Sequence, residues 1–262
     1  MTGTVYFVGA GPGDPELLTM KAHTLLRRAD VVLHDDLVSS EIVAIAASRA
    51  QVVNVGKRCG RKKITQAHIN ELMIEAARSG LEVVRLKSGD PGIFGRLAEE
   101  IEALRAAEVS FEIVPGITAG IAAAACVGAS LTDRRQSWRI VILSRHHAHG
   151  TLADKTEDWA GLARDDTTFV IYMPGHDLAG LRRELLDAGL PPDFPALLVS
   201  RVSTPQQREW AATLGDLDLV QPLEPPSILL LGRSVAGAAE GATSRLLSTL
   251  ARDARSDLSD LL

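Results

Sequence analysis

This 262-residue sequence has few cysteines and few aromatic residues. Its two cysteines, Cys59 and Cys126, lie far apart, and neither has a second thiol at the spacing of a metal site or a disulfide framework. We therefore expect both to be reduced, unpaired thiols. Aromatic residues make up only 4% of the chain, which is too few for the stacking platforms that bind single-stranded nucleic acids.

The chain also lacks a basic excess and a long apolar run. Its formal net charge of −5 provides no general attraction to nucleic acid. The longest apolar segment, residues 116–129, contains glycines and is too short to span a bilayer. Neither a basic stretch nor an apolar signal core comes before the first strand-like residues. We expect a cytoplasmic protein that binds neither nucleic acid nor membrane.

Histidines, aspartates and glutamates do not occur at the spacing of a metal site. His146, His147 and His149 lie close together, but we interpret them as a solvent-exposed group in a loop rather than as zinc ligands. The sequence therefore predicts that no metal is bound.

Short β-branched runs alternate with segments of helical period, which indicates an α/β fold with mostly parallel strands. The chain breaks at Pro115-Gly116. We therefore predict an N-terminal domain at 1–114, a C-terminal domain at 119–246 and a charged tail at 247–262. The predicted strands are 5–8, 31–34, 51–55, 82–86, 111–114, 139–143, 168–172, 196–201 and 227–231. The predicted helices are 16–28, 40–47, 66–79, 97–107 and 119–126.

A glycine-rich turn with the sequence GAGPGDP occupies residues 9–15, after the first predicted strand. Together with Asp35 and Asp36 at the end of the second strand, it suggests the dinucleotide-binding site of a nicotinamide-dependent oxidoreductase. However, Asp14 stands where the third glycine of that fingerprint belongs, and its carboxylate would repel a pyrophosphate at the helix N-terminus. We interpret Asp14 as the cap of the first helix, with Pro15 at its first position.

A series of segments, in order along nearly the whole chain, resembles the tetrapyrrole methylases. These segments are VGAGPGDPELLT (8–19), HDDLV (34–38), VGKR (55–58), RLKSGDP (85–91), FGR (94–96) with Glu99 and Glu100, VPGITAG (114–120), YM (172–173), TPQQ (204–207) and PSILLLG (226–232).

This resemblance implies a two-domain fold, with a parallel five-stranded N-terminal sheet, a mixed C-terminal sheet and the active site in the cleft between them. It also implies a homodimer that uses S-adenosylmethionine, releases S-adenosylhomocysteine and methylates uroporphyrinogen III twice to give precorrin-2. Such a reaction leads toward sirohaem, corrinoids or haem d1. Two alternatives stay open: another precorrin methyltransferase of this fold, and an inactive tetrapyrrole-binding paralogue.

The resemblance implies methyl-donor contacts in both halves of the chain. These residues are Pro12, Ser88, Gly89, Asp90, Ile93, Thr118, Ala119, Met173, Val202 and Leu230. A glycine at the end of a buried strand allows close approach of a ligand, and an aspartate can bind an amino group or ribose hydroxyls.

On the acceptor side, Arg96 and Glu99 lie three residues apart at the start of a predicted helix and share a face. We predict that they and Asp35 take part in catalysis. Residues 57–63 hold five cations in seven positions. This segment is either a solvated or phosphate-binding loop, or a surface that attracts the polyanionic tetrapyrrole. On the second interpretation, its substrate-binding residues are Lys57, Arg58 and Arg61.

Some positions depart from the pattern of the family. Ser88 replaces a glycine, Asp133 replaces a histidine, and Arg145 and Val202 also differ. These differences bear on which tetrapyrrole is the acceptor.

Overall fold

The computed structural model describes residues 2–56, 64–145, 159–220, 224–239 and 241. The chain divides into two compact units, Met1–Ala119 and Gly120–Leu262. The sequence places the boundary nearby, at 115–118, and the predicted tail at 247–262 lies outside the described residues. Among the helices described, none has the length and apolar character needed to cross a membrane.

The first unit contains a five-stranded sheet in the order β3-β2-β4-β1-β5, in which every pairing is parallel. Apolar clusters cover both of its faces, as expected for a parallel sheet with helical crossovers. The strands are β1 (Val5–Gly9), β2 (Val31–His34), β3 (Gln51–Asn54), β4 (Val83–Lys87) and β5 (Phe111–Val114). The helices are α1 (Met20–Arg28), α2 (Ser40–Val43), α3 (Gln66–Arg78) and α4 (Leu97–Ala106).

The second unit contains a mixed sheet in the order β6-β7-β10-β8-β9. Only the β6–β7 pairing is parallel among the described strands of this sheet. The strands are β6 (Arg139–Ser144), β7 (Thr167–Tyr172), β8 (Pro195–Ser200), β9 (Arg208–Thr213) and β10 (Ser227–Leu231). The helices are α5 (Ala119–Cys126), which begins at the boundary, α6 (Trp159–Leu162) and α7 (Leu178–Asp187). The predicted α/β fold with a parallel and a mixed sheet is confirmed.

The start of the first helix was predicted wrongly. Asp14 does act as a cap, because its Oδ1 accepts a hydrogen bond of 2.8 Å from the amide of Glu16, but it caps only a short 3-10 turn at Pro15–Leu17. Extended backbone follows, and α1 begins at Met20, where the hydroxyl of Thr19 accepts from the amide of Ala22. Two residues suited to capping lie five positions apart, and the second of them starts the helix.

Three elements of the second unit were missed by the sequence analysis: strand β9 and helices α6 and α7. Strand β9 has no run of β-branched residues that would predict a strand. It is a strand because it pairs with β8. Helix α7 carried a clear signal: Leu178, Leu181 and Leu185 are buried at helical spacing, and Asp177 caps the first turn.

Candidate active site

The carboxyl edge of the first sheet carries the predicted donor contacts of the first unit. Parallel strands bring their C-terminal ends to one edge, where open α/β sheets bind ligands. Pro12 follows β1, residues 88–93 follow β4, and Thr118 and Ala119 follow β5. Because β4, β1 and β5 are neighbours in the sheet, these residues lie along one continuous stretch of the edge. Asp35 follows β2, on the other side of β4.

Glycine residues let these loops pack closely and hydrogen-bond to one another. A Cβ added to Gly9 would lie 2.6 Å from the Cα of Gly116 and 2.7 Å from the carbonyl oxygen of Gly89. A Cβ on Gly116 would collide with the same oxygen. Gly11 and Gly89 exchange backbone hydrogen bonds of 3.1 and 2.8 Å, and Gly89 has a left-handed φ of +67° that favours glycine. These glycines therefore allow three loops to pack backbone against backbone.

The carboxylate of Asp90 joins two of the same loops. Its Oδ1 accepts from the amide of Gly92 at 2.8 Å, and its Oδ2 accepts from the amide of Gly116 at 3.0 Å. The amide of Ile93 closes a turn onto the carbonyl of Asp90 at 3.2 Å. Asp90 thus holds the loops of this edge in place. Its carboxylate can still contact the donor through the oxygen lone pairs that do not accept from these amides.

Arg96 and Glu99 contact each other, as their spacing predicts. Arg96 Nε donates to Glu99 Oε1 at 2.8 Å, and Nη2 donates to Oε2 at 2.7 Å. About half of each side chain is exposed. Hydrogen bonding by Glu99 raises the pKa of Arg96. Arg96 and the nearby Phe94 have left-handed φ values of 55° and 52°, and such strain in non-glycine residues is concentrated at functional sites.

A buried cluster of charges, which the sequence analysis missed, lies beneath this edge. Glu100 is fully buried on α4. Its Oε1 accepts from Arg85 Nε at 2.9 Å and from Gln66 Nε2 at 3.2 Å, and its Oε2 accepts from Lys87 Nζ at 2.7 Å. Arg85 and Lys87 are only 3% and 2% exposed. They lie two residues apart on β4, so their side chains point to the same face of the sheet. The signal was present, since two cations inside a buried strand require a buried carboxylate.

The surroundings of the cluster shift the pKa values of its two cations. Burial, together with repulsion from Arg85, lowers the pKa of Lys87. Burial opposes the charged form of Arg85 as well, but the carboxylates of Asp35 and Glu100 outweigh it, and the pKa of Arg85 is raised.

Asp35, a predicted catalytic residue, is the second carboxylate that binds Arg85. Arg85 Nη2 donates to Asp35 Oδ1 at 2.6 Å. The side chain of Asp35 remains 31% exposed, whereas that of Arg85 is 3% exposed. Asp35 thus connects the buried cluster to the surface.

The predicted substrate-binding residues Lys57, Arg58 and Arg61 lie outside the described residues. Just before them, Gly56 packs closely on the next loop, because a Cβ there would collide with the backbone of Asp36. Asn54 Nδ2 also donates to Asp36 Oδ1 at 3.3 Å. Gly56 therefore lies beside the loop that carries the predicted catalytic aspartate.

The second unit holds the other three predicted donor contacts. Met173 follows β7 and Val202 follows β8, and both strands run antiparallel to β10, so the two residues lie at one edge of this sheet. Met173 is 44% exposed with a φ of 49°, whereas Val202 is buried. Leu230 is fully buried in the middle of β10, between Val170 and Leu197. Of the three, only Met173 presents its side chain to solvent.

Two of the departures from the family pattern have local structural partners. Asp133 Oδ1 accepts from the backbone amide of Arg135 at 2.9 Å, and Oδ2 accepts from Arg135 Nη2 at 2.7 Å. These bonds lower the pKa of Asp133 to about 2. Arg145 Nη2 donates to Glu184 Oε1 at 3.4 Å. Both residues therefore have partners within the second unit.

A hollow of about 720 Å³ in the second unit contains none of the predicted site residues. Its cations are largely paired, since Arg233 binds Asp165 and Asp193, and Arg164 lies 3.8 Å from Asp166. The lining residues are Arg134, Arg135, Gln136, Trp138, Arg164, Asp165, Asp166 and Arg233. We do not assign this hollow to the site.

In the part of the chain that the structure describes, no three His, Cys, Asp or Glu side chains are grouped to hold a metal ion. His146, His147 and His149 lie outside that part of the chain.

Comparison with known proteins identifies several relatives over most of the chain. It is 44% identical over 239 residues to the uroporphyrinogen-III C-methyltransferase of Paracoccus denitrificans (strain Pd 1222), covering 90% of this chain and 83% of that protein. It is 42% identical over 233 residues to the siroheme synthase of Psychrobacter sp. (strain PRwf-1). That match covers 88% of this chain but 47% of the synthase, so this chain spans about half the length of that relative.

Solved structures share the fold. The native uroporphyrin III C-methyl transferase of Thermus thermophilus has a TM-score of 0.76 and 38% identity, covering 89% of this chain and 99% of that chain. The Thermus enzyme complexed with S-adenyl homocysteine has the same score and identity, covering 89% and 94%. A cobalt precorrin-4 methyltransferase has a TM-score of 0.79 and 31% identity, covering 88% and 95%. The family model of the tetrapyrrole (corrin/porphyrin) methylases matches residues 4–218, and this chain therefore belongs to the tetrapyrrole methylases.

Proposed function

We propose that this protein is an S-adenosylmethionine-dependent C-methyltransferase that converts uroporphyrinogen III to precorrin-2 by two successive ring methylations. The observation that carries the proposal is the carboxyl edge of the first sheet. There the closely packed glycine loops lie beside the charged side chains that are predicted to act on the methyl acceptor. A Thermus relative with 38% identity has been solved with S-adenyl homocysteine, the product of such a reaction. The Paracoccus relative at 44% identity is a uroporphyrinogen-III C-methyltransferase.

The donor side of the edge fits an adenosyl ligand. At Gly89 an added Cβ would meet the Cα of Thr118 only at 3.7 Å and the amide of Ala119 at 3.8 Å. Gly89 therefore lies within van der Waals reach of the loop after β5, and the backbone groups of these two loops can bind a nucleoside. We propose that Pro12, Ser88, Gly89, Asp90, Ile93, Thr118 and Ala119 hold the donor there, with Met173, Val202 and Leu230 contributing from the second unit. When bound, S-adenosylmethionine supplies an electrophilic methyl group.

The acceptor side must orient a ring carbon and handle one proton for each methylation. Arg96 can bind a substrate carboxylate through its planar guanidinium. In this structure Glu99 accepts both of those hydrogen bonds. A substrate carboxylate must therefore share the guanidinium with Glu99 or displace it. Asp35 and Glu99 are the carboxylates that can hold pyrrole N–H groups or accept the proton. We propose that Lys57, Arg58 and Arg61 attract the polyanionic tetrapyrrole to this side.

We also propose that the protein acts in the cytoplasm as a homodimer, as the resemblance to its family implies. A second candidate function is the methylation of a later precorrin. The cobalt precorrin-4 methyltransferase favours it, because its fold matches at a TM-score of 0.79. The departures at Ser88, Asp133, Arg145 and Val202 leave room for a different acceptor.

The test is incubation with enzymatically made uroporphyrinogen III and S-adenosylmethionine, followed by mass analysis. We expect products with one and then two added methyl groups. Transfer to a methylated precorrin but not to uroporphyrinogen III would support the second candidate instead. In a separate assay S-adenosylhomocysteine should raise the melting temperature and NAD should not, because only a ligand of the native state stabilises it. The reverse result would reject the methyltransferase.

A further inference from the structure

We propose that Arg85 is a positioning residue for methyl transfer, which holds the carboxylate of Asp35 at a fixed place relative to helix α4. This inference rests on the proposed function and extends it to a residue below the surface of the site. Arg85 is only 3% exposed, so its action must pass through the groups that it binds.

The contacts of Arg85 link three elements of the first unit. Its Nη2 donates to Asp35 after β2, at 2.6 Å, and its Nε donates to Glu100 on α4, at 2.9 Å. Its Nη1 lies 3.4 Å from the carbonyl of Leu33. Because a guanidinium is planar and rigid, binding both carboxylates at once fixes the angle and the distance between them. A lysine in the same place has no such fork.

Glu100 is itself held firmly. Its second oxygen accepts from Lys87 at 2.7 Å, and Gln66 donates to the first at 3.2 Å. A fully buried carboxylate with three donors cannot rotate without leaving a charge or a polar group unpaired, which is strongly unfavourable. Glu100 directly follows Glu99 in α4, and Arg96 immediately precedes that helix. The cluster therefore couples Asp35 to the Arg96–Glu99 pair.

The surface end of this linkage is suited to binding a substrate. Among the described residues, the hydrogen bond to the Asp35 carboxylate uses Oδ1, and the side chain keeps 31% of its surface exposed. The oxygen Oδ2 can thus face a pyrrole N–H while Oδ1 is held from below. The competing explanation is that Asp35 serves only as a counter-ion for Arg85 and has no role in turnover.

A double-mutant cycle distinguishes the two explanations. We expect Arg85→Lys to lower kcat about tenfold or more, since a charged hydrogen bond with fork geometry is lost. S-adenosylhomocysteine affinity should stay within about twofold of the wild-type value. In an Asp35→Asn background the same change should add almost nothing, because the residue through which Arg85 acts is already disabled. The proposal would be overturned if the two substitutions together lowered kcat by the product of their separate factors. A kcat near the wild-type value for Arg85→Lys would overturn it as well.

Arg233→Lys is the matched control in the second unit. Arg233 also binds two carboxylates, those of Asp165 and Asp193, and it is not among the predicted site residues. We expect this variant to keep the wild-type kcat. A loss equal to that of Arg85→Lys would mean that any such pair matters only for the fold, and would count against the proposal.

A second variant keeps the test valid if Arg85→Lys fails to fold. Replacing the whole buried triad with apolar residues, as in Arg85→Met/Lys87→Met/Glu100→Leu, is expected to preserve stability, because apolar substitutes of similar volume are often as stable as buried ion pairs. Asp35 is then unsupported, and kcat should fall at least tenfold, as for the lost fork contact. A melting curve and donor-product binding like those of the wild type, with undiminished kcat, would reject the positioning role. A wild-type protein that transfers no methyl group would instead reject the proposed function itself.

Discussion

The loop edges of the two sheets differ in which residues adopt left-handed backbone conformations. In the first unit, glycines occupy the tight positions: Gly11 and Gly89 have left-handed φ values of 70° and 67°. In the second unit, Met173, Arg201 and Ser203 adopt left-handed φ values of 49–57° without being glycine. A non-glycine residue in this conformation costs about 1–2 kcal/mol. The backbone contacts of the first edge are therefore made by glycines at little strain, although Phe94 and Arg96 beside them are also left-handed, while the second edge keeps side chains at these strained positions.

The largest expected effect tests the packing of the first edge. Gly116→Ala should lower the free energy of unfolding by about 3 kcal/mol or more, because the new Cβ meets the backbone of Gly89 and Gly9. It should also abolish binding of S-adenosylhomocysteine. Chemical denaturation and calorimetry measure the two effects. Gly237→Ala is the control, since a Cβ there meets nothing within 4 Å and should be tolerated. Wild-type behaviour of Gly116→Ala would show that the loops can separate without loss.

The next effect concerns Arg96, one of the residues of the first unit that are left-handed without being glycine. Arg96 keeps a left-handed φ of 55° there although it is not glycine. If its guanidinium binds a substrate carboxylate, Arg96→Lys should lower turnover about tenfold, since a charged contact contributes about 1.5–3 kcal/mol. S-adenosylhomocysteine affinity should not change.

The alternative for Arg96 is a purely local ion pair with Glu99, which contributes about 0.2–0.5 kcal/mol. In that case Arg96→Lys would be almost silent in a methyl-transfer assay. A parallel loss of donor-product affinity would place Arg96 on the donor side instead.

A smaller effect of opposite sign tests the strain of the second unit. Ser203→Gly should raise the free energy of unfolding by about 0.5–1 kcal/mol, because glycine adopts the φ of 57° at little cost. Ser110→Gly is the control, since Ser110 is not among the left-handed residues and should lose a similar amount through chain entropy. A destabilised Ser203→Gly variant would show that the hydroxyl contact with Cys126 at 3.3 Å outweighs the strain.

The smallest effect concerns Asp133 in the second unit, and NMR titration of its carboxyl group measures it. Arg135 holds the pKa of Asp133 at about 2, below the ordinary 3.8. A lowered pKa contributes stability that is complete above pH 3.8 and is lost as the pH falls through about 2. Arg135→Ala removes the side-chain hydrogen bonds but keeps the backbone amide, so it should move the pKa toward its ordinary value and weaken this pH dependence. An unchanged pKa would mean that the turn amide alone stabilises the carboxylate.

The sequence predicted the fold well where local signals agreed with the final structure. The bounds of β2, β5, β10 and α5 were predicted to the residue. Strand β9 could not be predicted, because its stability comes from a partner strand distant in sequence. The membership of the charged cluster was hidden for a similar reason: Arg85 and Glu100 meet only when α4 packs on β4.

The candidate site shows the same limit. The loop residues were found through resemblance and motif, and the pairing of Arg96 with Glu99 through helical spacing. The joining of Asp90 to Gly116 and of Arg85 to Asp35 depends on strand order, which brings β2, β4 and β5 to one edge. The roles assigned to these residues stay predictions until the variants are measured.

The two-way hydrogen bonding between Gly11 and Gly89 has a consequence for binding thermodynamics. Loops that are free before a ligand arrives lose conformational entropy when they close on it, and this loss weakens the affinity. Here two loops are already joined by 2.8 and 3.1 Å bonds, so their ordering belongs to folding and not to binding. This saving in ordering entropy is the same for the methyl donor and for its demethylated product. If the donor binds at this edge as proposed, we expect its demethylated product to inhibit the reaction by competing for the same preformed loops.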